Sequence, residues 1–287
     1  MLIHLARLIY FLLFFASSTC LSSTEEALKS IVKKGEYVFY TTGGCSCHAP
    51  SSDESNDLSG GRPLKTPFGT FFGTNITPDK KFGIGSWSSE DFANAMSEGT
   101  GPDGSHFFPT FPYTSFTKIP RSKLDAMFEY LKTRKPIAKK NKEHDIPFPF
   151  NIRFSVGVWK WLFFQKGVDT HGSNIDPRYK RGRYLVNGPA HCAECHSPRN
   201  IFGALKNDRL FSGAKDGPEG EPSPSILAND DGIGEWSTKD VVYYLKTGMT
   251  PEGDFSGGLM AEVIDNGYQY LTDEDLESIA IYLKTLQ

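Results

Sequence analysis

The sequence predicts an all-α, loop-rich fold: two tandem copies of one small domain, joined by a basic, aromatic-containing linker. Three observations predict it. Four blocks of residues recur in the same order in the two halves. Each half carries short helix signals and no alternating strand pattern of useful length. Between them, 28 glycines and 18 prolines in 287 residues mark long irregular connections. The 31 Lys and Arg nearly balance 34 Asp and Glu, which excludes a nucleic-acid binder relying on a basic surface. A hydrophobic fraction of 38% excludes a polytopic membrane protein.

Residues 1–23 read as an export signal. Arg7 and the amino terminus supply positive charge, Leu8–Ala16 is an unbroken apolar run, and Ala16, Ser17, Ser18, Ser22 and Ser23 supply small residues for cleavage. The run is about half of the ~20 residues that span a bilayer. Cleavage between Ser18 and Ser23 removes Cys20 with the signal; retention as an anchor is the alternative. Either way the expectation is a chain outside the cytoplasm, periplasmic in a Gram-negative source.

The recurring blocks define the copies. Lys34-Gly35-Glu36-Tyr37-Val38 answers Arg181-Gly182-Arg183-Tyr184-Leu185, and Cys45-Ser46-Cys47-His48 answers Cys192-Ala193-Glu194-Cys195-His196. Ile84-Gly85-Ser86-Trp87-Ser88 answers Ile233-Gly234-Glu235-Trp236-Ser237, and Tyr130-Leu131-Lys132-Thr133 answers Tyr282-Leu283-Lys284-Thr285. The offsets grow only from 147 to 152. The copies are expected at 24–134 and 181–287, with the linker at 135–180. In each, one helix precedes the cysteines (Glu25–Tyr40; Tyr179–Asn187). A second follows a Ser cap (Ser89–Glu98 after Ser88; Thr238–Thr247 after Ser237), and a third closes the copy (Lys123–Thr133; Asp273–Leu286). The linker carries a net charge of +5, against −1 and −8 for the copies, and an aromatic stretch from Phe154 to Phe164. Those rings either pack the copies together or form a docking surface for a membrane-bound partner.

So little regular structure needs a filler, and a large flat cofactor serves. Cys192-Ala193-Glu194-Cys195-His196 is a complete attachment signature for c-type haem: two thiols reach the two vinyl groups of a porphyrin edge while the next imidazole coordinates iron. Structural zinc would need a second ligand pair nearby, and none follows within the copy. Cys45-Ser46-Cys47-His48 is one residue short between its cysteines. Cys47 and His48 keep the thioether and ligand positions, and Gly43 and Gly44 offer the backbone freedom that Cys45 would need. Two thioethers, one at Cys47, or no haem stay open. Met260 follows His196 by 64 residues in a loop expected just before the closing helix, Gly257-Gly258-Leu259-Met260, and is the expected sixth ligand. Met249 is the weaker candidate. Sixty-three residues after His48 stands Phe111, which cannot ligate. His106, an open site, or a methionine from the helices (Met96, Met127) stay open there.

With these residues in view, the chain resembles the dihaem cytochrome c family that includes the cytochrome subunits of membrane-bound alcohol, gluconate and aldehyde dehydrogenases. Thr66-Pro67-Phe68-Gly69-Thr70, Asn75-Ile76-Thr77-Pro78-Asp79, Phe111-Pro112-Tyr113, Pro147-Phe148-Pro149-Phe150-Asn151, Pro198-Arg199-Asn200 and Met260-Ala261-Glu262-Val263 carry the resemblance, beside the haem motifs. It implies tandem class I cytochrome c folds holding two covalent haems c. By the same resemblance His48 and His196 are proximal ligands and Met260 a distal one. It implies electron transfer from a dehydrogenase catalytic subunit or similar donor to a cytochrome, quinone-linked or oxidase acceptor in a respiratory chain, with peripheral membrane association and no nucleic acid. The shortened first motif and Phe111 depart from the family pattern. An open first site would instead suit a haem enzyme of peroxidase or thiosulfate-oxidation type, with His106 as distal acid/base.

Overall fold

Residues 24–41 form the first helix, α1, which crosses the helix closing the first half, α4 (Arg121–Lys132). A glycine sits at the crossing. A Cβ on Gly35 would stand 1.8 Å from the Ala126 carbonyl oxygen, so only hydrogen lets the backbones meet. The second half repeats the device: α6 (Pro177–Asn187) crosses α10 (Asp273–Leu283), where a Cβ on Gly182 would stand 1.8 Å from the Ser278 carbonyl. The first block of the internal repeat is therefore a helix-crossing signature. The computed structural model describes residues 24–50, 57–167 and 176–287, so the expected export signal and Cys20 lie outside the described residues.

The connections between the crossed helices hold the remaining elements. In the first half these are a tight 3₁₀ stretch (Gly43–His48), strands β1 (Pro63–Thr66) and β2 (Gly69–Phe72), α2 (Ser89–Glu98) and α3 (Tyr113–Phe116). In the second they are α7 (Ala193–His196), α8 (Thr238–Thr247) and α9 (Gly258–Asn266). α2 and α8 begin on matching capping boxes, Ser88 with Asp91 and Ser237 with Asp240, and end on left-handed Gly99 and Gly248. Two apolar clusters result. One gathers Phe39, Phe92, Leu124, Met127 and Leu131; the other gathers Leu185, Val241, Ile264, Leu276 and Leu283. Met96 and Met127 lie in the first cluster, 5% and 1% exposed.

The described chain is mostly helical and loop-rich, and it departs from the sequence reading at a hairpin in the first half and at the linker. β1 and β2 form an antiparallel hairpin, Pro63 opposite Phe72, whose four-residue strands are too short to show a period. The aromatic stretch is a helix, α5 (Arg153–Phe163). The chain before it is fastened to the first half. Asn75 Nδ2 donates to the Ile137 and Lys139 carbonyls at 2.8 and 3.1 Å, the Phe72 amide donates to His144 Nδ1, and Thr70 pairs with Asp145.

Ionic and polar contacts join the halves. Tyr37 on α1 donates to Asp275 on α10 at 2.6 Å, and Asp275 also receives both arms of Arg181. Buried Arg62 donates to Glu219 at 2.9 Å and grips Glu262 on α9 with two nitrogens. Glu194, between the cysteines of the second motif, accepts from Thr114 and Ser115 of the first half at 2.6 and 3.0 Å.

Candidate haem-binding sites

The two motif histidines are held alike. His48 Nδ1 lies 2.8 Å from the Thr74 carbonyl, and His196 Nδ1 lies 2.8 Å from the Pro224 carbonyl. A carbonyl only accepts, so each Nδ1 carries the proton and each Nε2 keeps its lone pair. The histidines' own carbonyls accept from Gly60 and Gly213 amides at 2.7 and 2.8 Å. Burial holds both imidazoles below their ordinary value, outweighing the opposing pull of the carbonyls, which keeps them neutral and ready to ligate.

The cysteines fall into matching pairs. Cys45 packs against the first apolar cluster and Cys192 against the second, and burial pushes each thiol up to about 12. The second cysteine of each motif belongs to neither cluster. Cys195 is likewise pushed up to about 12 by burial, with Cys47 adding to the rise. Burial also raises Cys47, although part of its surface is solvent-exposed. None of the four forms a disulfide among the described residues, and burial raises each thiol, unlike an activated catalytic cysteine.

The local backbones differ. Cys192 and the α7 turn are right-handed, whereas Gly43, Gly44 and Cys45 run left-handed, with φ of 71°, 66° and 54°. That reversal takes up the missing residue of the short motif. It is favourable for the glycines and costs about 1–2 kcal/mol at Cys45.

The groups opposite the histidines also differ. The Phe111 ring stands 6.4 Å from the His48 ring, edge to face. His106 is turned to α5: Lys160 Nζ donates to its Nδ1 at 3.1 Å, and Gly157 leaves room for its Nε2, where a Cβ would come within 3.1 Å. Burial, reinforced by the Lys160 charge, lowers the His106 pKa. Met260 packs on the second cluster, as Cys192 does, and lies in the first turn of α9 rather than in a loop. Met249 Sδ accepts from Tyr243 at 3.7 Å.

A porphyrin iron fits this donor set. Each motif offers one neutral imidazole with a fixed tautomer and a free Nε2, next to protonated thiols. The fully buried Tyr113 hydroxyl has no hydrogen-bond partner among the described residues, an atom that a bound group or water would satisfy.

No protein-family model matches the chain. It is, however, 41% identical over 255 residues to a protein of Cereibacter sphaeroides named "Diheme cytochrome c-type", covering 88% of this chain and 84% of that one. The chain belongs to the dihaem c-type cytochromes. It is also 36% identical to the cytochrome c subunit of alcohol dehydrogenase (quinone) from Gluconobacter oxydans and of gluconate 2-dehydrogenase from Pantoea cypripedii. Each alignment covers 91% of this cytochrome but only 56% and 61% of the relative, so it spans little more than half the length of those subunits.

Sequence reasoning had no access to the groups that orient the ligands of this cytochrome. The Thr74 and Pro224 carbonyls are backbone atoms. Asn75, 2% exposed, accepts from Thr77 and donates to the linker, which fixes the chain at Thr74. Its signal was the Asn75-Ile76-Thr77-Pro78 block. Arg62 and Glu194 left no pattern that marks them as joining the halves.

Proposed function

We propose that this cytochrome is an exported, periplasmic electron carrier with two haem-binding units, 24–134 and 181–287, each a class I cytochrome c fold. It passes electrons from a dehydrogenase catalytic subunit or similar donor to a respiratory acceptor. When bound, haem c supplies a one-electron iron couple. His48 and His196 present Nε2 to the iron, and the Thr74 and Pro224 carbonyls hold the rings in orientation. Cys192 and Cys195 anchor the second group. Cys47 anchors the first, joined by Cys45 in the place that Cys192 takes in the other unit. Met260 is the sixth ligand of the second unit. The observation that carries this reading is the repeated imidazole anchor, 2.8 Å in both halves. Its test is the haem-to-polypeptide ratio by pyridine haemochrome. Two per chain is expected; one or none overturns the reading.

A second reading rests on Phe111. With a hydrocarbon ring beside His48 and His106 engaged by Lys160, neither of these two residues offers the first unit a sixth donor among the described residues. That unit would bind a small molecule there, as a haem enzyme does. Low-temperature EPR of the ferric protein separates the two: a high-spin signal supports the open site, and two low-spin species support electron transfer alone.

A further inference from the structure

α5 is fastened on one side and bare on the other. Trp159 Nε1 donates to the Phe202 carbonyl at 2.8 Å, Lys160 Nζ donates to the Glu98 and Gly99 carbonyls at 2.7 and 2.6 Å, and Val156 is 4% exposed. The outward side carries Phe154, Val158 and Trp161 at helical spacing, exposed by 82%, 47% and 82%. These three line one open cavity of about 250 Å³ with His106 and Gly157. Phe148, 78% exposed, stands on the approach to the helix. A ridge of exposed rings on a helix pinned by several hydrogen bonds marks a surface kept for a partner.

Charge selects the partner. From Ile146 to Gly167 the sequence carries Arg153, Lys160 and Lys166 and no acidic residue, within a linker of net +5; Lys160 is turned inward, so the exposed cations are Arg153 and Lys166, which flank the two ends of α5. Glu98, near the end of this stretch, is paired with Lys166. α5 has 11 residues, about half of the ~20 that cross a bilayer, and among the described residues no helix is long and apolar enough to cross a membrane. Trp and Phe on one face with cationic neighbours is the composition of a helix lying in the plane of a lipid headgroup layer.

We propose that the outer ridge of α5 seats the protein on an anionic lipid surface, with Phe154 and Trp161 entering the headgroup boundary. The inference goes beyond the electron-carrier reading and does not depend on haem. Hydroxyl-radical footprinting of the full chain, as isolated, tests it with phosphatidylglycerol vesicles, phosphatidylcholine vesicles, or a dehydrogenase catalytic subunit added. Vesicle flotation of the wild type and the Phe154→Ser/Trp161→Ser variant accompanies it, and the visible spectrum of each sample reports haem content separately. The expected result is protection of Phe154 and Trp161 by phosphatidylglycerol, with flotation of the variant reduced roughly tenfold. Protection with unchanged flotation still supports the ridge contact, with another segment also holding the chain. Oxidation unchanged by phosphatidylglycerol overturns the proposal. Equal protection by phosphatidylcholine overturns its anionic preference, and protection by the catalytic subunit alone assigns the ridge to protein.

Discussion

His196 follows a right-handed Cys192 and His48 follows a left-handed run at Gly43–Cys45, yet the two imidazoles are anchored by the same contact at the same distance. The comparison teaches that imidazole orientation is set by the carbonyl that accepts from Nδ1, not by the spacing of the preceding thiols. Thr74 and Pro224 come from long connections 26 and 28 residues beyond their histidines. Those connections are kept in register by other groups, among them Asn75, so one motif has lost a residue without disturbing the ring. Away from that anchor the units diverge: Phe111 stands 6.4 Å from His48 in one, and the other carries Met260 in the first turn of α9.

The largest effect that would break the comparison is removal of a ligand and its anchors. A Cys195→Ser/His196→Ala variant is expected to lose one haem per chain in the pyridine haemochrome assay while retaining the other. If the first unit were empty, the variant would be colourless. The opposing groups come next. On the open-site reading of the first unit, Phe111→Met is expected to remove its high-spin EPR signal and move the first couple by on the order of 100 mV. Met260→Ala is expected to create such a signal in the second unit.

Stability sharpens the comparison between halves. The Asp275 carboxyl is 7% exposed; burial opposes its ionisation, but Arg181 and Tyr37 hold its pKa below the ordinary carboxylate range. A lowered folded value means that its contribution is present above the unfolded value of about 3.9 and is lost as pH falls through the folded one. Asp275→Asn should cost about 2–3 kcal/mol at pH 7 in chemical denaturation. It should also flatten the loss of stability below about pH 4. The smallest effect belongs to Cys45→Ser. If the left-handed run brings Cys45 to the place of Cys192, the pyridine haemochrome band shifts toward that of a single thioether. An unmoved band would show that Cys47 alone anchors the first group.

Much of this was legible because it is written in local chemistry. The capped helices Ser89–Glu98 and Thr238–Thr247 stand where the Ser signals placed them, and Gly35 and Gly182 sit at equivalent crossings. The cysteines and histidines announce themselves by spacing. The β1–β2 hairpin was hidden by its brevity, and α5 by an aromatic run that reads equally as packing. What holds the histidines was beyond reach, because a backbone carbonyl has no residue identity. The turning of His106 toward Lys160 depends on α5 folding back over residues 98–106, a tertiary event without a local signal.

Glu194 carries one further consequence. It lies inside the Cys192–His196 segment, and its carboxylate is spent on Thr114 and Ser115 of the other half, with Arg199 at 2.7 Å closing it in. Any assembly factor that must grasp that segment to make the thioether bonds finds it wrapped once the halves have closed. Thioether formation at that segment by such a factor would have to precede docking of the halves, and the closed interface would then seal the finished product.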